Sequence, residues 1–252
     1  MNKRFIASVL TGALLASLAP VANAAVALDR TRVVYPGNEK SISLSISNQN
    51  PKSPYLAQAW LETEEGTKLT GSAPLMVLPP VQRVEPNGKG QVKVQAMPGA
   101  AQLPQDRETL FYFNLREIPP KADKGNVLQI ALQTRIKLFY RPTPLATAAA
   151  NPGNAPWQEK LTMSKTGDSY QLNNPTPYYI TIIGASNKKG GDSVKGFQAV
   201  MIAPNGSEKL SVSASSLGAT PVLTYINDYG AQPELVYQCS GSSCKVDKGA
   251  SK

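Results

Sequence analysis

Across residues 126–141 (Asn-Val-Leu-Gln-Ile-Ala-Leu-Gln-Thr-Arg-Ile-Lys-Leu-Phe-Tyr-Arg) most of the hydrophobic positions fall on one parity. Leu128, Ile130, Leu132, Ile136, Leu138 and Tyr140 share it, while Gln129, Gln133, Arg135, Lys137 and Arg141 take the other. A period of two puts alternate side chains on opposite faces of a β-strand, one apolar and one wet. No Gly or Pro interrupts the run, which is longer than the usual strand of about 5–6 residues. Such a strand is either a central member of its own sheet or an edge able to template a partner's strand. Alternation alone leaves both readings open.

The same signature recurs from Ala25 onward. A first strand is predicted from Val26 and Leu28 through 30–35, then strands at 41–47, 55–62, 75–78, 81–85, 91–97 and 110–120. Pro36-Gly37-Asn38 and Pro86-Asn87-Gly88 are turn sequences. Pro79-Pro80 beside a strand suggests an edge, a bulge or a cis bond. Composition then shifts to Pro, Thr, Ala, Asn and Gly over 142–156, which predicts a linker. Beyond it, strands are predicted at 157–163, 170–172, 178–185, 197–203, 209–212, 222–227 and 235–239. Short strands, frequent turns and no helix-period segment predict an all-β chain of two β-sandwiches, 25–141 (of immunoglobulin-like size) and 157–252.

Composition narrows the chemistry. Lys3 and Arg4, an apolar run over 5–18 and Ala22-Asn23-Ala24 form a secretory leader, predicted to be removed ahead of Ala25. No segment is long and apolar enough for a transmembrane helix, so membrane insertion is not expected. The formal charge of +9 falls to +7 once Lys3 and Arg4 leave with the leader. There is no dense Lys/Arg block interleaved with aromatics, which argues against nucleic acid as a partner. The chain has no histidine, which excludes Ser-His-Asp and Cys-His catalytic units and His-ligated zinc. No catalytic residue, metal or cofactor is expected. The two cysteines, Cys239 and Cys244, flank Ser-Gly-Ser-Ser. Export permits a disulfide, and this pair is predicted to staple a hairpin near the C-terminus.

Five stretches carry a resemblance. AVALDRTRVV at 25–34, LFYFNLREIPP at 110–120, NVLQIALQTRIKLFYRP at 126–142, NPTPYY at 174–179 and YINDYG at 225–230 resemble the periplasmic pilus-assembly chaperones. The resemblance spans nearly the whole chain after the leader. It implies two immunoglobulin-like domains in a boomerang arrangement with a cleft between them. It implies a periplasmic protein that binds, folds and caps pilin subunits and delivers them to an outer-membrane usher. The mechanism it implies is donor-strand complementation: the chaperone lends its 126–141 strand to a pilin that lacks one, with Leu128, Ile130 and Leu132 filling the pilin's groove. Arg32 and Lys137 match the pair that anchors the pilin's C-terminal carboxylate. Glu108, Arg141 and Asp228 match an interdomain ion-pair network. Self-association through the donor strand is a second use of the same edge. A pilin or adhesin is the competing reading, but a pilin would carry a donor extension ahead of its first strand, and here the first predicted strand starts almost at the cleavage site.

Overall fold

The computed structural model describes residues 24–71, 73–122, 125, 127–151 and 154–251. Apart from Ala24, the expected leader lies outside the described residues, as does Asn126.

The first domain is a sandwich of two sheets. One has the order β1 (Val26–Leu28), β3 (Ser41–Asn48), β7 (Lys89–Ala96), β5 (Leu75–Leu78). The other runs β2 (Arg32–Pro36), β9 (Gln133–Arg141), β8 (Thr109–Ile118), β4 (Tyr55–Thr63), β6 (Val81–Val84). Alternate positions of these strands, among them Val33, Tyr35, Leu44, Ile46, Phe113, Leu115 and Leu138, fill the core between the sheets. Asn87 and Asn205 adopt positive φ (53° and 54°) in turns led by proline. Their i+3 N–H groups close those turns on Glu85 and Ala203, the turn chemistry expected of Pro-Asn-Gly. The Leu78–Pro79 bond is cis.

Three expectations are corrected. The single first strand is in fact two: β1 pairs antiparallel with β3, and the chain then crosses to the other sheet, where β2 pairs parallel with β9. Alternation cannot register a change of partner sheet, because the period is the same in both. The long strand is paired only from Gln133. Its partner β8 reaches Arg116 opposite Gln133, ends at Ile118 and is followed by Pro119-Pro120, so earlier positions have no ladder; the last bond is from the Glu117 N–H to the Leu132 carbonyl (3.0 Å). Finally, the linker contains an α-helix, α1 (Thr143–Ala150), whose four alanines and leucine favour a helix that a linker reading overlooked.

The second domain is an eight-stranded sheet: β13 (Val200–Ile202), β12 (Ile180–Ser186), β15 (Val222–Tyr225), β16 (Glu234–Ser240), β17 (Ser243–Val246), β10 (Thr162–Thr166), β11 (Ser169–Asn173), β14 (Ser207–Ser213). Its end strands β13 and β14 touch, so the sheet wraps a core that includes Leu161, Leu172, Ile182, Leu223 and Tyr237. Residues 157–160 form a 3-10 turn where strand was expected, and β10 begins only at Thr162. A second helix, α2 (Ala214–Leu217), adds one further departure from the all-strand reading; Ser213 caps it by accepting the Ser216 N–H. In the hairpin β16–β17, Cys239 faces Cys244 and the two form a disulfide.

Candidate binding cleft

The parallel register of β2 and β9 sets Arg32 directly opposite Lys137. Both are half-buried, and the second domain supplies what they touch. Arg32 Nη1 donates to the Ile226 carbonyl (3.3 Å), and Lys137 Nζ donates to Thr181 Oγ1 (3.5 Å). Thr181 links the two, since its own carbonyl accepts the Ile226 N–H (3.1 Å). Arg32 Nε is buried with no partner among the described residues. No carboxylate among the described residues lies within ion-pairing distance of either cation. Burial lowers the pKa of Arg32, with Asp228 partly opposing; burial and then the charge of Arg32 lower that of Lys137. Two cations held side by side against their own repulsion, with a free donor between domains, suit an anion with two oxygens.

One residue pair further along β9, the odd face turns from wet to buried. Phe139 lies against Tyr179 (ring centroids 5.5 Å apart), and Arg141 is 4% exposed. The polar parity of this strand predicts solvent here; the second domain covers it instead. Arg141 Nε donates to Glu108 Oε1 (2.8 Å), while Nη1 and Nη2 donate to Asp228 Oδ2 and Oδ1 (2.7 and 3.0 Å). Glu108 Oε2 accepts the Tyr179 N–H (2.7 Å). The structure thus brings together Glu108 from the start of β8, Arg141 from the end of β9 and Asp228 from the second domain. Sequence reasoning missed the aromatic box around the guanidinium. Trp157 and Tyr178 stack 4.4 Å apart, with the Arg141 carbon 4.9 and 5.1 Å from their ring centres. Tyr178 also donates its hydroxyl to the Leu145 carbonyl of α1 (3.0 Å). A tryptophan directly after a linker was the one available signal.

Burial pushes the Glu108 carboxyl up to about 7; the charge of Arg141 and its two hydrogen bonds only partly pull it back. Burial also opposes the charge on Arg141, but the bonds and charges of Asp228 and Glu108 outweigh it and raise the pKa of that group. The sign for stability follows from proton counts. Between the usual glutamate range and about 7 the folded chain binds more protons than the unfolded one, so the contribution of Glu108 is greatest at low pH and declines as pH rises through that window. We expect urea unfolding of Glu108→Gln to lack this decline between pH 5 and pH 8. Parallel profiles for the two proteins would contradict the assignment.

The unpaired part of the long segment is exposed to solvent. Val127, Leu128, Ile130 and Leu132 are 52, 88, 65 and 42% exposed. They lie outside the domain's own core, and Leu128, Ile130 and Leu132, which share one parity, form an apolar row in water. Gln129, on the opposite parity, donates to the Pro120 carbonyl (2.7 Å) and ties the segment back to the end of β8.

Comparison with known proteins gives a consistent picture. Residues 25–146 match the N-terminal domain of the PapD pili and flagellar-assembly chaperones, and residues 156–237 match the C-terminal domain of the pili assembly chaperone PapD. The chain is 51% identical to the chaperone protein PapD of Escherichia coli over 227 residues, covering 90% of this chain and 92% of that one. It is 50% identical to the probable fimbrial chaperone YfcS of E. coli K12 over 239 residues, covering 95% and 92%. The crystal structure of the periplasmic chaperone SfaE superposes with a TM-score of 0.63 at 32% identity, covering 84% of this chain and 98% of that one.

Proposed function

The chain belongs to the PapD family of pili assembly chaperones, and from that membership we propose that it holds pilin subunits in the periplasm by donor-strand complementation and passes them to an outer-membrane usher. The observation that carries this reading is the exposed apolar row of Leu128, Ile130 and Leu132 on the segment that runs into β9, the strand whose Lys137 lies opposite Arg32. The pilin's C-terminal carboxylate sits between Arg32 and Lys137. Fixing that end sets the register in which the subunit edge pairs with 127–132, because a one-residue slip would invert every side chain. Leu128, Ile130 and Leu132 then enter the groove the pilin leaves open, each contributing on the order of 1.5–3 kcal/mol when fully buried. Backbone N–H and C=O groups of the segment pair with the pilin's unsatisfied edge. Release is an exchange of strands and draws on no nucleotide. Glu108, Arg141 and Asp228 hold the two domains at the angle that keeps Thr181 and Ile226 against the cations. The domain limits we assign are 25–141 and 157–252, joined by 142–156. The leader directs export and is removed ahead of Ala25; among the described residues no helix is long and apolar enough to cross a membrane. The protein is a binding partner and not an enzyme.

Co-expression with a pilin tests this directly. The chaperone is expected to leave the periplasm in an equimolar complex. Ile130→Asp should abolish that complex, because a carboxylate would enter an apolar groove unpaired, while circular dichroism and unfolding stay unchanged, because Ile130 is solvent-exposed in the free protein. A pilin that still co-purifies with Ile130→Asp in full amount would overturn strand donation. Size-exclusion of the free wild type and of Ile130→Asp also reports whether the same row pairs two copies of the chaperone.

A further inference from the structure

Along β8, Phe111, Phe113 and Leu115 point into the core, and the same alternation carries Glu117 to a core-facing position. Glu117 is 5% exposed, and its Oε2 accepts the backbone N–H of Val26 at 2.9 Å, joining β8 of one sheet to β1 of the other. Among the described residues no lysine or arginine lies within ion-pairing distance of it. A buried carboxylate without a counter-ion is unfavourable, and proteins pair such charges.

The residue before Val26 is Ala25. Its position is set by the β1–β3 ladder and by the Gln49 N–H, which donates to its carbonyl (2.6 Å). Covalent geometry keeps its nitrogen within about 3.7 Å of the Val26 nitrogen. While the leader is attached, that nitrogen is a neutral amide. Cleavage between Ala24 and Ala25 turns it into an α-ammonium one residue from the N–H that Glu117 accepts, and among the described residues that carboxylate has no other cation within ion-pairing distance. We propose that Glu117 is a binding site for a primary ammonium, the chain's own processed terminus, so that leader removal completes an ion pair locking β1 to β8. The inference rests on the export reading given above, specifically on cleavage ahead of Ala25. Its consequence is that the first domain reaches full stability only after export, when its partner is present.

The test uses protein exported and processed by the cell, with its start verified by intact mass. Four forms are compared: the natural chain, a chain with one extra glycine ahead of Ala25, Glu117→Gln, and Glu117→Gln carrying the extra glycine. Acylation of the α-amine at pH 7 should be about tenfold slower in the natural chain than in Glu117→Gln, corresponding to a rise of roughly one pKa unit in the paired amine. The glycine extension should lower Tm by about 2–4 °C, and in the Glu117→Gln background it should change nothing. Equal amine reactivity, or an extension that leaves Tm unchanged, overturns the inference. If Glu117→Gln does not fold, acetylation of the natural terminus replaces it and should reproduce the loss seen with the extension. A mass that puts the start elsewhere overturns the cleavage reading and this inference together, whereas a start at Ala25 with equal reactivity and stability overturns the inference alone.

Discussion

Lys137→Met is expected to leave the free protein folded and no less stable while its affinity for a pilin falls roughly 30- to 4,000-fold. The binding loss is that of removing one partner from a hydrogen-bonded charge pair at a desolvated site, about 2–5 kcal/mol. The stability sign runs the other way from most core substitutions. Burial and the charge of Arg32 both lower the pKa of Lys137, so its charged form is disfavoured by folding at every pH where it is protonated. Methionine keeps the length and apolar stem and removes the repulsion. Arg32→Met should behave in the same way, since burial lowers the pKa of that group too. Isothermal titration with a pilin C-terminal peptide, alongside urea unfolding, separates the two effects. A pilin peptide that binds both variants as it binds the wild type refutes the anchor. So does a peptide whose C-terminal amide binds as well as its free acid.

Arg141→Met is expected to do the opposite, with a large loss of stability. It strands Glu108, whose side chain is 1% exposed and keeps only the Tyr179 N–H, and it leaves Asp228 without its two guanidinium bonds. Removing one member of a buried pair typically costs about 3–5 kcal/mol, or roughly 6–20 °C in Tm for a chain of this size. The loss should be smaller at pH 5 than at pH 8, because a Glu108 that titrates near 7 in the intact network is protonated at pH 5 and needs no cation. A second substitution should restore part of it: Glu108→Leu in the Arg141→Met background removes the stranded charge. Small-angle scattering is expected to show a broader range of interdomain distances in Arg141→Met, since the three side chains bridge the domains. A Tm within 2 °C of wild type at pH 8 would show that the network does not hold the fold in this way.

Much of the fold was legible in the chain because a strand's period is local. The alternation of 41–47 and 91–97 and the apolar run after Glu108 mark β3, β7 and β8 within a residue or two. The Pro-Asn-Gly turns and the hairpin closed by Cys239 and Cys244 follow from equally local chemistry. The candidate cleft was legible only through resemblance to a family. Arg32 and Lys137 lie more than a hundred positions apart, and nothing in either neighbourhood says that they face each other. The split of the first strand and the point where the β9 ladder begins were misread for the same reason. Each depends on which neighbour a segment meets.

The row 127–141 shows the division plainly. Its alternation predicted a strand with one apolar edge and one polar edge, because side chains alternate wherever backbone is extended, and the structure forms that strand over 133–141. Whether those edges would be wet or dry was settled by distant chain. The two prolines that end β8 left Leu128, Ile130 and Leu132 in water, and the second domain closed over Phe139 and Arg141. Periodicity sets direction; burial is a property of whatever arrives from elsewhere, and only the folded chain brings it.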